Sequence, residues 1–190
     1  MFKRVCITNR HLARRDFLQQ IRLILSLPVD NRPDALILRE KDLSTEDYQR
    51  VSARVLSLCR EYGVCCIFKG HIDLARDCGA DGVQLSFSTY MESPVDNFVD
   101  IPLVGVSVHS LKEAKAAAAR GADYLIYGHV FATDCKPGLP PRGLDALREI
   151  CEEVSVPVYA IGGIREENAG SCLDAGACGV CVMSGYMSLS

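Results

Sequence analysis

The stretch Arg120-Gly121-Ala122-Asp123-Tyr124-Leu125 places a glycine at the point where a helical pattern gives way to an apolar run. The same phrase recurs as Cys78-Gly79-Ala80-Asp81-Gly82-Val83 and as Ala175-Gly176-Ala177-Cys178-Gly179-Val180, while Ser155-Val156-Pro157-Val158 has a proline at the corresponding place. Glycine readily ends a helix in the left-handed conformation. Each phrase therefore predicts a helix that turns directly into a strand.

Apolar runs recur along the whole chain with regular spacing. The strand candidates are residues 2–8, 35–39, 64–68, 82–85, 103–108, 124–130, 156–161 and 179–183. Segments with helical periodicity lie between them, including residues 16–27, 45–62, 111–120, 144–154 and 166–175. Several of the apolar runs have no polar interruption, which is typical of parallel strands that are buried on both faces.

Eight strands that alternate with helices predict an α/β fold, a compact (β/α)8 TIM barrel formed by a single domain over residues 1–190. An open doubly wound sheet is the alternative. The chain is short for such a barrel, which typically takes ~250 residues. Because little sequence follows the last strand candidate, we expect the eighth helix to be truncated or missing.

The composition limits the function. The 190 residues are 48% apolar and carry a formal net charge of −3, so we expect no nucleic acid partner. No run of about 18 apolar residues occurs, which predicts no membrane span. The ten cysteines are scattered through the predicted strands and helices. We interpret them as small buried side chains in a reducing cytoplasm, and we predict no metal site because Cys178 and Cys181 have no second pair of ligands.

The sixth strand candidate ends in the stretch Tyr127-Gly128-His129-Val130-Phe131-Ala132-Thr133-Asp134-Cys135-Lys136. In barrels of this kind the carboxyl ends of the strands carry the active site. Histidine exchanges protons near neutral pH, with an unperturbed pKa of about 6.5. His129 is therefore the candidate catalytic residue, and Thr133 and Lys136 are candidates to position a ligand. A lone histidine with a purely structural role is the alternative interpretation.

Other polar residues and glycines follow further strand candidates. Arg39 and Lys41 close the second, where two cations could hold an anion, unless they only form a solvated loop. Ser107 lies near the end of the fifth on the face that we expect to point inward. Gly162-Gly163 and Ser184-Gly185 follow the seventh and eighth, where backbone N–H groups frequently bind a phosphate. Simple tight turns are the alternative there.

The whole arrangement resembles the thiamin-pathway barrel family that contains thiamine phosphate synthase and thiazole tautomerase. The resemblance covers nearly the whole chain. The matching motifs are Leu38-Arg39-Glu40-Lys41, Gly79-Ala80-Asp81-Gly82-Val83, Gly105-Val106-Ser107-Val108-His109-Ser110, Gly121-Ala122-Asp123-Tyr124, Ala160-Ile161-Gly162-Gly163-Ile164 and Val182-Met183-Ser184-Gly185.

Departures from the family pattern bear on the choice between its members. The resemblance implies that a synthase binds a magnesium pyrophosphate through an Asn-Asp sequence after the third strand and an aspartate after the fourth. This sequence has Lys69-Gly70-His71 and Ser86-Phe87-Ser88-Thr89 at those places, without an acid. Magnesium usually relies on one or two carboxylates plus substrate phosphates. In addition, His129 takes the place of a proline that is usual in the synthase. These departures favour the tautomerase.

On this resemblance we predict an isomerase, a thiazole tautomerase, that aromatises the exocyclic-alkene tautomer of carboxythiazole phosphate without a cofactor. His129 would carry the proton. The substrate would be lined by Arg39, Lys41, Ser107, Thr133 and Lys136, and its phosphate would be held by Gly162, Gly163, Ser184 and Gly185. The alternatives are thiamine phosphate synthase, another phosphate-binding isomerase of the same shape, and a non-catalytic regulator that senses thiamin intermediates. The resemblance also suggests a homodimer.

Overall fold

Strand pairing closes the sheet into a barrel, because each strand pairs in parallel with the next and the first pairs with the last. The computed structural model describes residues 3–190. Its strands are β1 (Arg4–Ile7), β2 (Ala35–Leu38), β3 (Cys65–Lys69), β4 (Gly82–Ser86), β5 (Val104–Val108), β6 (Tyr124–Gly128), β7 (Val158–Ile161) and β8 (Gly179–Val182). The predicted (β/α)8 barrel is confirmed, and the open sheet is excluded. Residue 2 of the first strand candidate lies outside the described residues.

A helix follows each strand. The helices are α1 (Phe17–Leu25), α2 (Thr45–Tyr62), α3 (Ile72–Cys78), α4 (Phe87–Glu92), α5 (Leu111–Ala119), α6 (Gly143–Glu153), α7 (Glu166–Asp174) and α8 (Ser184–Met187). The eighth helix is short, as predicted, since α8 has four residues. Ser44 and Ser110 begin α2 and α5, since each side-chain oxygen accepts a hydrogen bond from a backbone N–H three residues on. No helix within residues 3–190 is long and apolar enough to cross a membrane.

The repeated glycine–alanine–aspartate phrase forms the amino-terminal rim of the barrel. Gly79 and Gly121 have positive φ angles of 63° and 95° at the ends of their helices, as the sequence predicts. The aspartates of the same phrases accept backbone hydrogen bonds of 2.7 Å from neighbouring strands, Asp81 from Cys66 and Asp123 from Val104. These carboxylates therefore fix the starts of strands, which is a structural role at the rim opposite the expected site.

Two apolar layers surround the sheet. Inward-facing side chains such as Ile37, Ile67 and Tyr124 fill the barrel, and a larger layer packs between the sheet and the helices. Adjacent Cys65 and Cys66 belong to different layers, as expected for neighbours in a strand. All ten cysteines are free thiols, and Cys135 is the exposed one.

Candidate active site

The carboxyl rim of the barrel carries four polar side chains on consecutive strands. Alternation along each strand places Arg39 and Lys69 in the same inward rows as Ile37 and Ile67, which pack inside the barrel. Gln84 is aligned with Lys69 in the register of β3 and β4, and Ser107 is aligned with Ser86 across β4 and β5. We refer to Arg39, Lys69, Gln84 and Ser107, together with Lys41 beyond the end of β2, as the rim cluster.

Ser107 lies at the centre of the hydrogen bonds in the rim cluster. Its Oγ accepts a hydrogen bond of 3.0 Å from Gln84 Nε2 and a longer one of 3.5 Å from Lys69 Nζ. A serine hydroxyl has two acceptor lone pairs and one proton. Both lone pairs are engaged by these donors, so the hydroxyl proton is available to an anionic ligand above the rim.

The charges of the rim cluster are positive. Burial, and then the neighbouring charges of Lys41 and Arg39, lower the pKa of Lys69 from its ordinary value of 10.5 to about 8. Among the ion pairs formed within residues 3–190, none involves Arg39, Lys41 or Lys69. Three cations without a carboxylate partner attract an anion into the mouth of the barrel.

The one buried carboxylate near these cations is engaged elsewhere. Glu40 is 3% exposed and accepts hydrogen bonds from the Thr8 hydroxyl and from the backbone and guanidinium of Arg10. Thr8 Oγ1 in turn accepts the backbone N–H of Arg39 at 2.9 Å. This network ties the end of β1 to the end of β2 and thereby holds the backbone that carries Arg39.

A tyrosine holds the next strand end in a similar way. The Tyr48 hydroxyl from α2 donates to the Leu38 carbonyl at 2.8 Å and accepts the Lys69 backbone N–H at 3.3 Å. The His71 ring stacks on the Tyr48 ring with centroids 3.8 Å apart. Burial lowers the pKa of His71, which favours a neutral, packed imidazole with a structural role.

His129 lies outside the rim cluster. It is 5% exposed, and its Nε2 lies 3.2 Å from the carbonyl oxygen of Leu139 in the loop that follows β6. Its Nδ1 is buried with no hydrogen-bond partner among the described residues. The same loop is tied to the end of β6, because Gly128 O accepts from Arg142 Nε at 3.1 Å and lies 2.9 Å from His109 Nδ1. The predicted catalytic role of His129 stays a prediction.

The other predicted residues lie on the loops that follow β6, β7 and β8. Thr133 and Lys136 are half-buried in the loop after β6, and the Thr133 hydroxyl accepts from the Cys135 backbone within that loop. Gly162 and Gly163 follow β7 and pack so closely on the preceding loop that a Cβ on Gly162 would lie 2.3 Å from the Cβ of His129. Both glycines have positive φ angles. Ser184 and Gly185 are exposed at the start of α8.

The places that the resemblance implies for magnesium ligands do not fit a divalent cation. Gly70 has a φ angle of 83°, a conformation that side-chain-bearing residues rarely adopt, and the neighbouring Lys69 is a cation whose Nζ contacts Ser107. Ser86 caps α4 by accepting the Thr89 backbone N–H. Within residues 3–190, no group of three His, Cys, Asp or Glu residues is placed to hold a metal ion.

Sequence reasoning missed two members of the rim cluster. The predicted site includes neither Lys69 nor Gln84. The signal was present, because Lys69 follows Cys65 and Ile67 at strand alternation and Gln84 is the one amide inside the apolar run Gly82–Ser86. A polar side chain at an inward position near the end of a barrel strand predicts a ligand contact.

Comparison with known proteins identifies the family. A family model described as thiamine monophosphate synthase matches residues 4–186. The thiamine-phosphate synthase of Pyrococcus abyssi is 40% identical over 156 residues, which cover 80% of this chain and 74% of that protein. The thiamine-phosphate synthase of Chloroflexus aurantiacus is 39% identical over 79% of this chain and 70% of its own length. The solved structure of thiamine phosphate pyrophosphorylase from Pyrococcus furiosus superposes with a TM-score of 0.84 and 34% identity, covering 99% of this chain and 88% of that one.

These relatives correct the predicted activity. The relatives from Pyrococcus abyssi and Chloroflexus aurantiacus are named as synthases, which are transferases, so the prediction of an isomerase, a thiazole tautomerase, is wrong. That prediction depended on missing metal ligands and on an imidazole facing the mouth of the barrel. In the structure His129 Nε2 lies 3.2 Å from the Leu139 carbonyl oxygen of its own loop, and the rim carries cations where acids are missing. Lost metal ligands therefore do not specify a different reaction, and the chain belongs to the thiamine monophosphate synthase family.

Proposed function

We propose that this protein is a transferase that makes thiamine phosphate by joining a pyrimidine pyrophosphate to a thiazole phosphate. The observation that carries the proposal is the rim cluster, in which three cations and a serine hydroxyl face the mouth of the barrel without a carboxylate partner. The family and the named relatives support the same reaction.

The chemistry of the coupling matches such a site. A C–N bond forms between the thiazole nitrogen and the methylene carbon of the pyrimidine, while the C–O bond to pyrophosphate breaks and pyrophosphate leaves with the electron pair. Negative charge therefore develops on the leaving group. Fixed donors aimed at developing charge are usually the largest single contribution to catalysis. Arg39, Lys41, Lys69 and the Ser107 proton supply these donors, and no proton transfer at the reacting atoms is needed.

The remaining assignments are part of the proposal. Gly162, Gly163, Ser184 and Gly185 would hold the phosphate of the thiazole, and Thr133 and Lys136 would cover it from the loop after β6. The protein would act as a single domain and as a homodimer in the cytoplasm. The two loop pairs follow β7 and β8, whereas the rim cluster belongs to β2–β5, and these different strands support separate sites for the two phosphorylated substrates.

A coupling assay with a matched pair of variants tests the proposal. Purified protein is incubated with both substrates, and thiamine phosphate and pyrophosphate are quantified. We expect wild type to form both in equal amounts, and Arg39→Gln to reduce the rate by roughly 10²-fold, as for loss of one charge-stabilising donor. Arg54→Gln changes an exposed arginine on α2 and serves as the control. Binding of both substrates without any product would instead identify a non-catalytic regulator.

A further inference from the structure

We infer that this barrel binds the pyrophosphate group without a divalent cation, with the Lys69 ammonium supplying the positive charge at the end of β3. The inference rests on the proposed function for the identity of the ligand. It departs from what the family resemblance implies, which is a pyrophosphate held together with magnesium.

The position of Lys69 is the first argument. It is the last residue of β3 and points inward, and its Nζ reaches Ser107 Oγ on β5 across the intervening strand β4. Its backbone is fixed by the hydroxyl of Tyr48. The ammonium is therefore held at the carboxyl end of the barrel, between the cations Arg39 and Lys41 that follow β2 and the Ser107 hydroxyl of β5.

The donor set around Lys69 is the second argument. Ser107 has its lone pairs occupied by Lys69 and Gln84, so it meets a ligand as a donor. Arg39 can bind two phosphate oxygens at once through its planar guanidinium. These groups donate to anions, whereas a magnesium ion needs oxygen acceptors, mainly carboxylates and phosphates.

The lack of a carboxylate at the two expected places is the third argument. The residue after Lys69 is Gly70, which has no side chain. At the end of β4, the Ser86 hydroxyl lies 2.6 Å from the Thr89 hydroxyl and accepts the Thr89 backbone N–H. Gln84 Oε1 is buried and has no partner among the described residues, but it is a single neutral oxygen. An ammonium close to this position would also repel a divalent ion.

Calorimetric titration with inorganic pyrophosphate tests the inference directly. We expect wild type to bind pyrophosphate in the presence of EDTA with an affinity that excess magnesium does not increase. Lys69→Gln should weaken this binding by about 10- to 100-fold, the loss expected for one charge-assisted hydrogen bond. Lys115→Gln removes an exposed lysine that pairs with Glu153 on the outside of the barrel, and it should bind as wild type does.

Two results would overturn the inference. One is wild-type binding that disappears in EDTA and returns with magnesium, which needs no variant and so does not depend on how a variant folds. The other is unchanged affinity in folded Lys69→Gln and Lys69→Met. The inference and the proposed function can fail separately. Metal-free binding of pyrophosphate without any coupling would support the inference and reject the synthase activity. Coupling that requires magnesium would support the synthase activity and reject the inference.

Discussion

Lys69 should lower the stability of the free protein, and its replacement should raise it. The folded pKa of about 8 lies below the ordinary value of 10.5. Below pH 8 the lysine is charged in both folded and unfolded states, so the folded protein bears the full cost of a half-buried ammonium. Between pH 8 and pH 10.5 the unfolded chain binds more protons than the folded one, so the free energy of unfolding rises with pH across this window.

The magnitude follows from the size of this pKa change. At ~1.4 kcal/mol for each pKa unit, the upper bound is roughly 3 kcal/mol. Lys69 is only half-buried, and solvent screening reduces the cost to about 1–2 kcal/mol. Lys69→Met keeps an unbranched side chain and removes the charge, so at pH 7 we expect it to unfold at higher urea concentration than wild type.

Urea unfolding at pH 7 and at pH 10 measures this effect. The advantage of Lys69→Met should shrink markedly at pH 10, where wild-type Lys69 is largely neutral. Lys115→Met serves as the control and should be equal to wild type or slightly less stable at pH 7, because it loses an exposed ion pair worth about 0–1 kcal/mol. A Lys69→Met protein that is no more stable than wild type at pH 7, or whose gain is the same at both pH values, would refute the reasoning.

Three further substitutions test other parts of the structure by urea unfolding. Gly105→Ala should lower the free energy of unfolding by about 1–3 kcal/mol, because the new Cβ would lie 2.1 Å from Cζ of Tyr124 inside the barrel. A variant as stable as wild type would contradict that packing. Asp123→Ala should lower the free energy of unfolding by about 1–3 kcal/mol, since the backbone N–H of Val104 loses its acceptor. An unchanged urea midpoint would argue against a stabilising role for this hydrogen bond. His129→Asn should cost about 1 kcal/mol and reduce coupling less than Arg39→Gln does; loss of all coupling in folded protein would make His129 catalytic.

The fold could be predicted because its determinants are local. The bounds of Thr45–Tyr62 follow from a serine cap and a closing glycine, and the structure has the same bounds. Ser107 was predicted to point inward from alternation alone, and it lies in the rim cluster.

The candidate site was harder to predict because its contacts depend on register and loop geometry. Lys69 meets Ser107 only because β3, β4 and β5 are aligned as they are. His129 Nε2 lies 3.2 Å from the carbonyl oxygen of Leu139, ten residues further along the chain. The periodicity of the sequence does not predict the shape of the loop between them. Alternation in the sequence predicts that Lys69 points inward, but its contact with Ser107 depends on the register of three strands, which the pattern of residues does not give.

The distribution of thiols offers a practical advantage. Cys135 lies in the loop after β6 and is exposed, whereas the other nine cysteines are buried or half-buried. Burial also raises the pKa of Cys151 and of Cys172 to about 11, so these two thiols react slowly at neutral pH. A maleimide fluorophore should therefore attach preferentially at Cys135 in the unmodified protein, and its emission would show whether that loop moves when each substrate is added.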